Sequence, residues 1–271
     1  MEDLSSVDFV IEAVPEIPDL KFDIFSKLAQ ICPKHAILAT NTSSISITRI
    51  AAATTSDPKD TSASSRVVST HFMNPVPIQK GVEIISGLQT SQDTLDTAIE
   101  FCKKMGKIAS VSADSPGFLA NRILMPYINE AIICLETGVG DRDSIDSIMK
   151  NGTNVPMGPL QLADFIGLDT CLAIMRVLYE ETADSKYRPS VLLKKMVDAG
   201  WMGKKSGKGF YETHPAAGDG PVNQTCSELD ITSELTCSVK DPSACNAASQ
   251  WFDVCVLGAA SDPRSDRHLP Q

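Results

Sequence analysis

Apolar positions along the 271-residue chain follow two rhythms, and the change between them falls near residue 113. Before it, short β-branched runs alternate with stretches of helical period. Val7-Asp8-Phe9-Val10-Ile11-Glu12-Ala13-Val14 reads as a buried strand. Leu20, Ile24, Leu28 and Ile31, with Phe25 on the same face, predict a helix that Pro33 stops, after a loop punctuated by Pro15 and Pro18. Residues 36–40 are short and strand-like and run into Asn41-Thr42-Ser43-Ser44. Strand, helix, strand within forty residues predicts a βαβ unit and therefore a parallel sheet, in which ligands bind at the carboxyl ends of the strands. Glu16 and the 41–44 cluster both fall at those ends. Residues 45–53 predict a short helix and 54–65 an exposed loop. Two strands follow, one ending at His71 and one holding Val82-Glu83-Ile84-Ile85, then a helix marked by Ala98, Phe101, Cys102 and Met105. Gly106 ends that helix, and residues 107–112 form a last strand.

From Asp114 onward the period is helical. Leu124, Ile128, Ala131 and Leu135 line one helix, with Pro126 as an expected kink, and residues 143–150, 160–166, 169–180 and 190–199 predict four more, with Gly200 as a cap. Gly203-Lys204-Lys205-Ser206-Gly207-Lys208-Gly209 closes this half as a cationic, glycine-rich loop. The pattern therefore predicts an α/β sheet domain over 1–113 and an all-helical domain over 114–212. From about 213 periodicity disappears and Pro, Ser, Asp and Asn dominate, so residues 213–271 are expected to be a poorly ordered tail.

Composition narrows the partners. Hydrophobic residues make up 42% and the mean hydropathy is −0.03, ordinary values for a soluble globular protein. A net charge of −10 argues against nucleic acid and anionic membrane surfaces. No apolar run approaches the roughly 18 residues of a membrane span. The acidic start Met1-Glu2-Asp3-Leu4 is not a secretory signal, and the carboxyl end carries no peroxisomal address. Four of the eight cysteines are scattered through apolar segments and four crowd the tail, with no C-x-x-C pair. That distribution points to free thiols in a reducing, intracellular compartment.

The chemistry concentrates at Ser69-Thr70-His71-Phe72-Met73-Asn74-Pro75 and at Glu83, twelve positions after His71. A carboxylate inside an apolar strand is costly to bury without a partner, and an imidazole on the adjoining strand supplies one. A histidine held by a glutamate has a fixed tautomer and raised basicity, as a general base near neutral pH requires. The plainer alternative is a satisfied core histidine beside an edge-strand glutamate.

Six motifs occur in order: Glu12-Ala13-Val14-Pro15-Glu16, Asn41-Thr42-Ser43-Ser44, His71-Phe72-Met73-Asn74-Pro75, Asp114-Ser115-Pro116-Gly117-Phe118-Leu119-Ala120-Asn121-Arg122, Pro156-Met157-Gly158-Pro159 and Gly203-Lys204-Lys205-Ser206-Gly207. Together they resemble the L-3-hydroxyacyl-CoA dehydrogenase family in its short soluble form, over roughly 7–212. The resemblance implies a Rossmann-like NAD-binding domain, here incomplete, followed by the family's helical domain. It implies NAD-dependent oxidation of the 3-hydroxyl of an (S)-3-hydroxyacyl-CoA in fatty-acid metabolism, and a homodimer formed through the helical domain.

Carried over by position, His71 is the base and Glu83 orients it. Ser43 sits beside substrate hydroxyl and nicotinamide, and Asn121 holds the substrate's carbonyl side. Glu16, Lys21, Ser43, Asn74 and Lys205 are implied as cofactor-binding residues. Each also has a plainer reading: Asn74 as a turn former before Pro75, Ser43 as a helix cap, and Glu16, Lys21 and Lys205 as solvated charge. Asn121 stands out as a polar residue on an otherwise apolar helix.

One departure is plain. The family's G-x-G-x-x-G loop, where backbone amides approach a pyrophosphate, occurs nowhere in the sequence. The chain resembles a family member lacking its first three strands, with sheet edges expected to lie exposed. Two other functions therefore stay open: an inactive relative serving as a dimerisation or acyl-CoA-binding module, and a relative acting on a hydroxy acid without CoA.

Overall fold

The computed structural model describes residues 4–212 and 254–258, which form two compact units. The first, among those residues, comprises 4–118 and 254–258. Its elements are β1 (Phe9–Ala13), α1 (Pro18–Ile31), β2 (Ile37–Thr40), α2 (Ile47–Ala52), β3 (Val67–Phe72), β4 (Gly81–Ser86), α3 (Gln92–Lys104), β5 (Ile108–Ala113) and β6 (Val254–Gly258). The six strands make one sheet in the order β5-β4-β3-β2-β1-β6. Every pair is parallel except β3 and β4.

Successive side chains of a strand point to opposite faces, and β1 is buried on both. Val10 packs with Ile24, Phe25, Leu28 and Leu38 on the α1 side, whereas Phe9 and Ile11 join Val68, Ile84 and Phe101 on the other. Phe9 and Phe101 stack with ring centroids 4.1 Å apart. Burying each such ring contributes about 1.5–3 kcal/mol. Pro18, which marks a loop in the sequence reading, is instead the first residue of α1. There its missing N–H costs nothing and its fixed φ suits the helix.

The tail departs from expectation. Val254–Gly258 is a strand, paired in parallel with β1 from Phe9↔Val254 to Ala13↔Gly258. Cys255 and Leu257 are buried in the α1-side cluster, while Val254 and Val256 pack against the Phe9–Phe101 cluster. The edge of β1 that the sequence reading leaves exposed is thus covered. Val254-Cys255-Val256-Leu257 follows Trp251 and Phe252 and precedes Gly258 and Ala259, an apolar stretch that the overall polar composition of 213–271 masks. The expectation of poor order over the rest of 213–271 lies outside the described residues.

The second unit comprises α4 (Ala120–Glu136), α5 (Arg142–Gly152), α6 (Pro159–Ile166), α7 (Leu168–Thr182) and α8 (Val191–Asp198). Met125, Ile128, Leu160, Cys171, Met175 and Leu193 lie at the centre of its own core. The glycine-rich loop is joinery rather than a phosphate cradle. Asp164 accepts from the backbone N–H groups of Phe210 and Tyr211 at 2.9 and 2.8 Å. A side chain on Gly203 (φ +81°) or Gly209 would strike Asp164. Asp146 caps α6 through the N–H groups of Leu160 and Gln161 and accepts from the Tyr211 hydroxyl at 2.8 Å.

Candidate active site

The antiparallel register of β3 and β4 sets His71 directly opposite Glu83. Paired residues share a face of the sheet, so the two side chains meet: His71 Nδ1 lies 2.9 Å from Glu83 Oε2, and both residues are buried. An ionised carboxylate only accepts, which puts the ring proton on Nδ1 and the lone pair on Nε2. The Ser43 hydroxyl, just beyond the carboxyl end of β2, lies 3.1 Å from Nε2 and donates to it in this tautomer. Phe118 closes one side, its ring edge-on to the imidazole at 6.0 Å between centroids. Ser43, His71 and Glu83 therefore form a relay whose basic nitrogen, Nε2, meets the serine hydroxyl.

The turn carrying Ser43 is tightly held. Glu16 Oε1 accepts from the Thr42 hydroxyl, from the N–H groups of Ser43 (2.9 Å) and Ser44 (3.0 Å), and from the Ser44 hydroxyl (3.0 Å). Burial pushes the Glu16 carboxyl up, but the Thr42 hydroxyl, the Lys21 ammonium, the Ser43 N–H and the Ser44 hydroxyl outweigh it and hold it below its ordinary value. Asn41 Oδ1 accepts from Phe72 N–H at 2.9 Å, tying the same turn to the end of β3. Ser43 is accordingly not a helix cap: Ser46 caps α2, and Asp114 reinforces that terminus by accepting from the Ser46 hydroxyl and the N–H groups of Ile47 and Thr48.

Lys21 is not a solvated charge. Its side chain is 1% exposed, with the ammonium 2.7 Å from Glu12 Oε1, 3.1 Å from the Val14 carbonyl oxygen and 3.4 Å from Glu16 Oε2. Glu12, fully buried on β1, also accepts from Val14 N–H at 2.6 Å and from the Thr40 hydroxyl at 2.7 Å. Breaking a buried pair of this kind typically costs about 3–5 kcal/mol. Glu12 and Thr42 were missed as site residues in the sequence. The clue to Glu12 was the one that exposed Glu83, a carboxylate inside an apolar strand.

The remaining expected residues are placed differently. Asn74 is exposed, two positions past β3. Asn121 and Lys205 belong to the helical unit. Asn121 is buried in the first turn of α4, and Lys205, half exposed, pairs with Asp169 at 2.5 Å. His35, at the far end of β2, meets Asp8 at 3.0 Å in an exposed pair. Among the described residues, no helix is long and apolar enough to cross a membrane.

Comparison with known proteins shows the family and its two domains. Residues 1–115 match the NAD binding domain of 3-hydroxyacyl-CoA dehydrogenase, and residues 117–213 match its C-terminal domain. A probable 3-hydroxybutyryl-CoA dehydrogenase of Bacillus subtilis is 53% identical over 212 residues, which is 78% of this chain and 71% of the relative. The 3-hydroxybutyryl-CoA dehydrogenase of Bradyrhizobium diazoefficiens is 51% identical over 212 residues, 78% of this chain and 70% of its own length. The crystal structure of (S)-3-hydroxybutyryl-CoA dehydrogenase PaaH1 from Ralstonia eutropha is similar with a TM-score of 0.74 and 47% identity, covering 79% of this chain and 73% of that one. With both domain models matched in order along the chain, this protein belongs to the 3-hydroxyacyl-CoA dehydrogenase family.

Proposed function

We propose that this chain oxidises the 3-hydroxyl of an (S)-3-hydroxyacyl-CoA of the 3-hydroxybutyryl class to the ketone. The observation that carries the reading is the Ser43–His71–Glu83 relay at the carboxyl ends of β2 and β3. His71 Nε2 takes the hydroxyl proton as hydride leaves C3, and the Glu83 carboxylate stabilises the imidazolium that forms. Ser43, its hydroxyl displaced from Nε2 by the substrate hydroxyl, donates to the substrate oxygen while that oxygen carries developing charge. Asn121 holds the thioester carbonyl side.

NAD, when bound, supplies the hydride acceptor. The donor set fits its nicotinamide end. The Ser43 hydroxyl stands next to the base, Asn74 is open to solvent, and Glu16 Oε2, paired only loosely with Lys21 at 3.4 Å, carries none of the turn contacts that load Oε1. Lys205, which the resemblance implies for the cofactor, pairs with Asp169 in the helical unit. Lys21, with its ammonium buried against Glu12 and Glu16, serves by holding Glu16. The reading also includes self-association through the helical unit. There an apolar groove of about 500 Å³ is lined by Tyr127, Val139, Ile145, Ile148 and Met149, and Val139 and Ile148 are largely exposed.

The test is NADH oxidation with acetoacetyl-CoA, using the unchanged chain and His71→Gln. Turnover that the substitution lowers by about 10²–10⁴-fold supports the assignment. A second reading is an acyl-CoA-binding module without turnover. It predicts no NADH binding in a fluorescence titration, with acyl-CoA binding retained. Turnover of a free hydroxy acid in place of the CoA thioester overturns both. Light scattering on the eluting protein reads the oligomeric state.

A further inference from the structure

The mechanism above leaves Glu12 unused, although it is a fully buried carboxylate within the same unit as the relay. Its hydrogen bonds run in two directions that converge. From Oε1 the path passes to the Lys21 ammonium at 2.7 Å, then to Glu16 Oε2 at 3.4 Å. Glu16 Oε1 in turn grips the backbone N–H groups of Ser43 and Ser44 and the hydroxyls of Thr42 and Ser44. From Oε2 the path passes to the Thr40 hydroxyl at 2.7 Å, whose oxygen accepts from Thr42 N–H at 3.2 Å. Both paths end on the 42–44 turn, and that turn carries the hydroxyl that meets His71 Nε2.

We propose that Glu12 is a positioning residue for the His71 site, holding the Ser43 hydroxyl on Nε2 through Lys21–Glu16 on one side and Thr40 on the other. The proposal rests on the reading of His71 as the base. Its physical basis is that a backbone turn has no rigidity of its own. Here one fixed carboxylate, fully buried on β1, supplies two restraints to three consecutive residues. A misplacement of about 1 Å at a reacting group lowers a rate by about a hundredfold, so such a restraint reads out in the chemical step.

Glu12→Gln alone leaves the Lys21 ammonium buried with a weakened counter-charge and risks the fold. Glu12→Gln/Lys21→Met removes both charges at nearly constant volume and breaks the Lys21 path. The experiment is NMR of the full chain with ¹⁵N-labelled histidine rings, the His71 signals assigned by their loss in His71→Gln. Ser43→Ala sets the Nε2 shift for a lost hydroxyl contact. In the double variant, with its circular dichroism unchanged, the Nε2 resonance is expected to move toward the Ser43→Ala position. In turnover, kcat is expected to fall about ten- to a hundredfold with the KM for the acyl-CoA nearly constant. A folded double variant whose Nε2 resonance matches the unchanged chain overturns the proposal. So does an Nε2 resonance that Ser43→Ala fails to move, or a double variant that does not fold, since the pair would then serve the fold and not the site. The NMR readout needs no turnover, so an unchanged chain without activity counts against the proposed function and leaves this inference standing on its own result.

Discussion

Glu16 carries its charge where burial opposes it, and the donors of the 42–44 turn together with the Lys21 ammonium more than offset that cost. Its folded-state value lies below the unfolded one, so its stabilisation is complete above the ordinary glutamate value of about 4.3 and is lost as pH falls through the folded value. Melting temperatures of the unchanged chain and Glu16→Gln should therefore differ at neutral pH and converge in acid below about pH 4.3. A difference that persists undiminished there would remove the charge from the explanation.

Burial outweighs the nearby Lys107 and Lys205 ammonium groups at the thiols of Cys102 and Cys171, pushing each up to about 12. The thiolate is the reactive form, so peptide mapping after native alkylation should find Cys134 modified while Cys102 and Cys171 react only on unfolding. Alkylation of those two at the native rate would contradict their burial. At this scale the sequence disclosed a residue when its chemistry conflicted with its surroundings. Glu83 in an apolar strand called for His71, and the strand register delivered it. Glu12 sent the same signal, but its partner comes from a helix nine positions on, with no shared period to announce it.

Elements were legible where local chemistry and packing agree. Ser91, Asp141 and Ser190 each stand one residue before a helix and accept from a backbone N–H inside it, start signals for α3, α5 and α8 that the apolar period alone does not carry. The period of α1 and the two-face burial of β1 were equally plain. The antiparallel turn of β4 against β3 was less so, since an apolar run does not state its direction. The pairing of strand β6 was illegible for another reason, because its partner lies about 245 residues away in the sequence. Leu257 is 3% exposed among Val10, Leu28 and other core residues, so Leu257→Ala should lower stability by about 2–5 kcal/mol in urea unfolding. A loss below about 0.5 kcal/mol, the range of ordinary surface changes, would show that the strand contributes little.

Over the whole molecule, each unit has a core of its own, and the two family domain models divide the chain at almost the same place as the compact units. Residues 119–212 should then fold alone, giving a helical circular dichroism spectrum and one cooperative melt. A broad, non-cooperative loss of signal would mean that its core depends on the rest of the chain. Strand β1 carries a different dependence. It leaves the ribosome about 245 residues ahead of the strand that covers its outer edge, since Phe9 pairs with Val254. At about 5–20 residues per second, that edge waits roughly ten to fifty seconds for its partner. Through that interval a row of unpaired amide groups is open to a chaperone or to the same strand of a neighbouring nascent chain. The yield of soluble protein should therefore be set during synthesis more than by the stability of the finished fold.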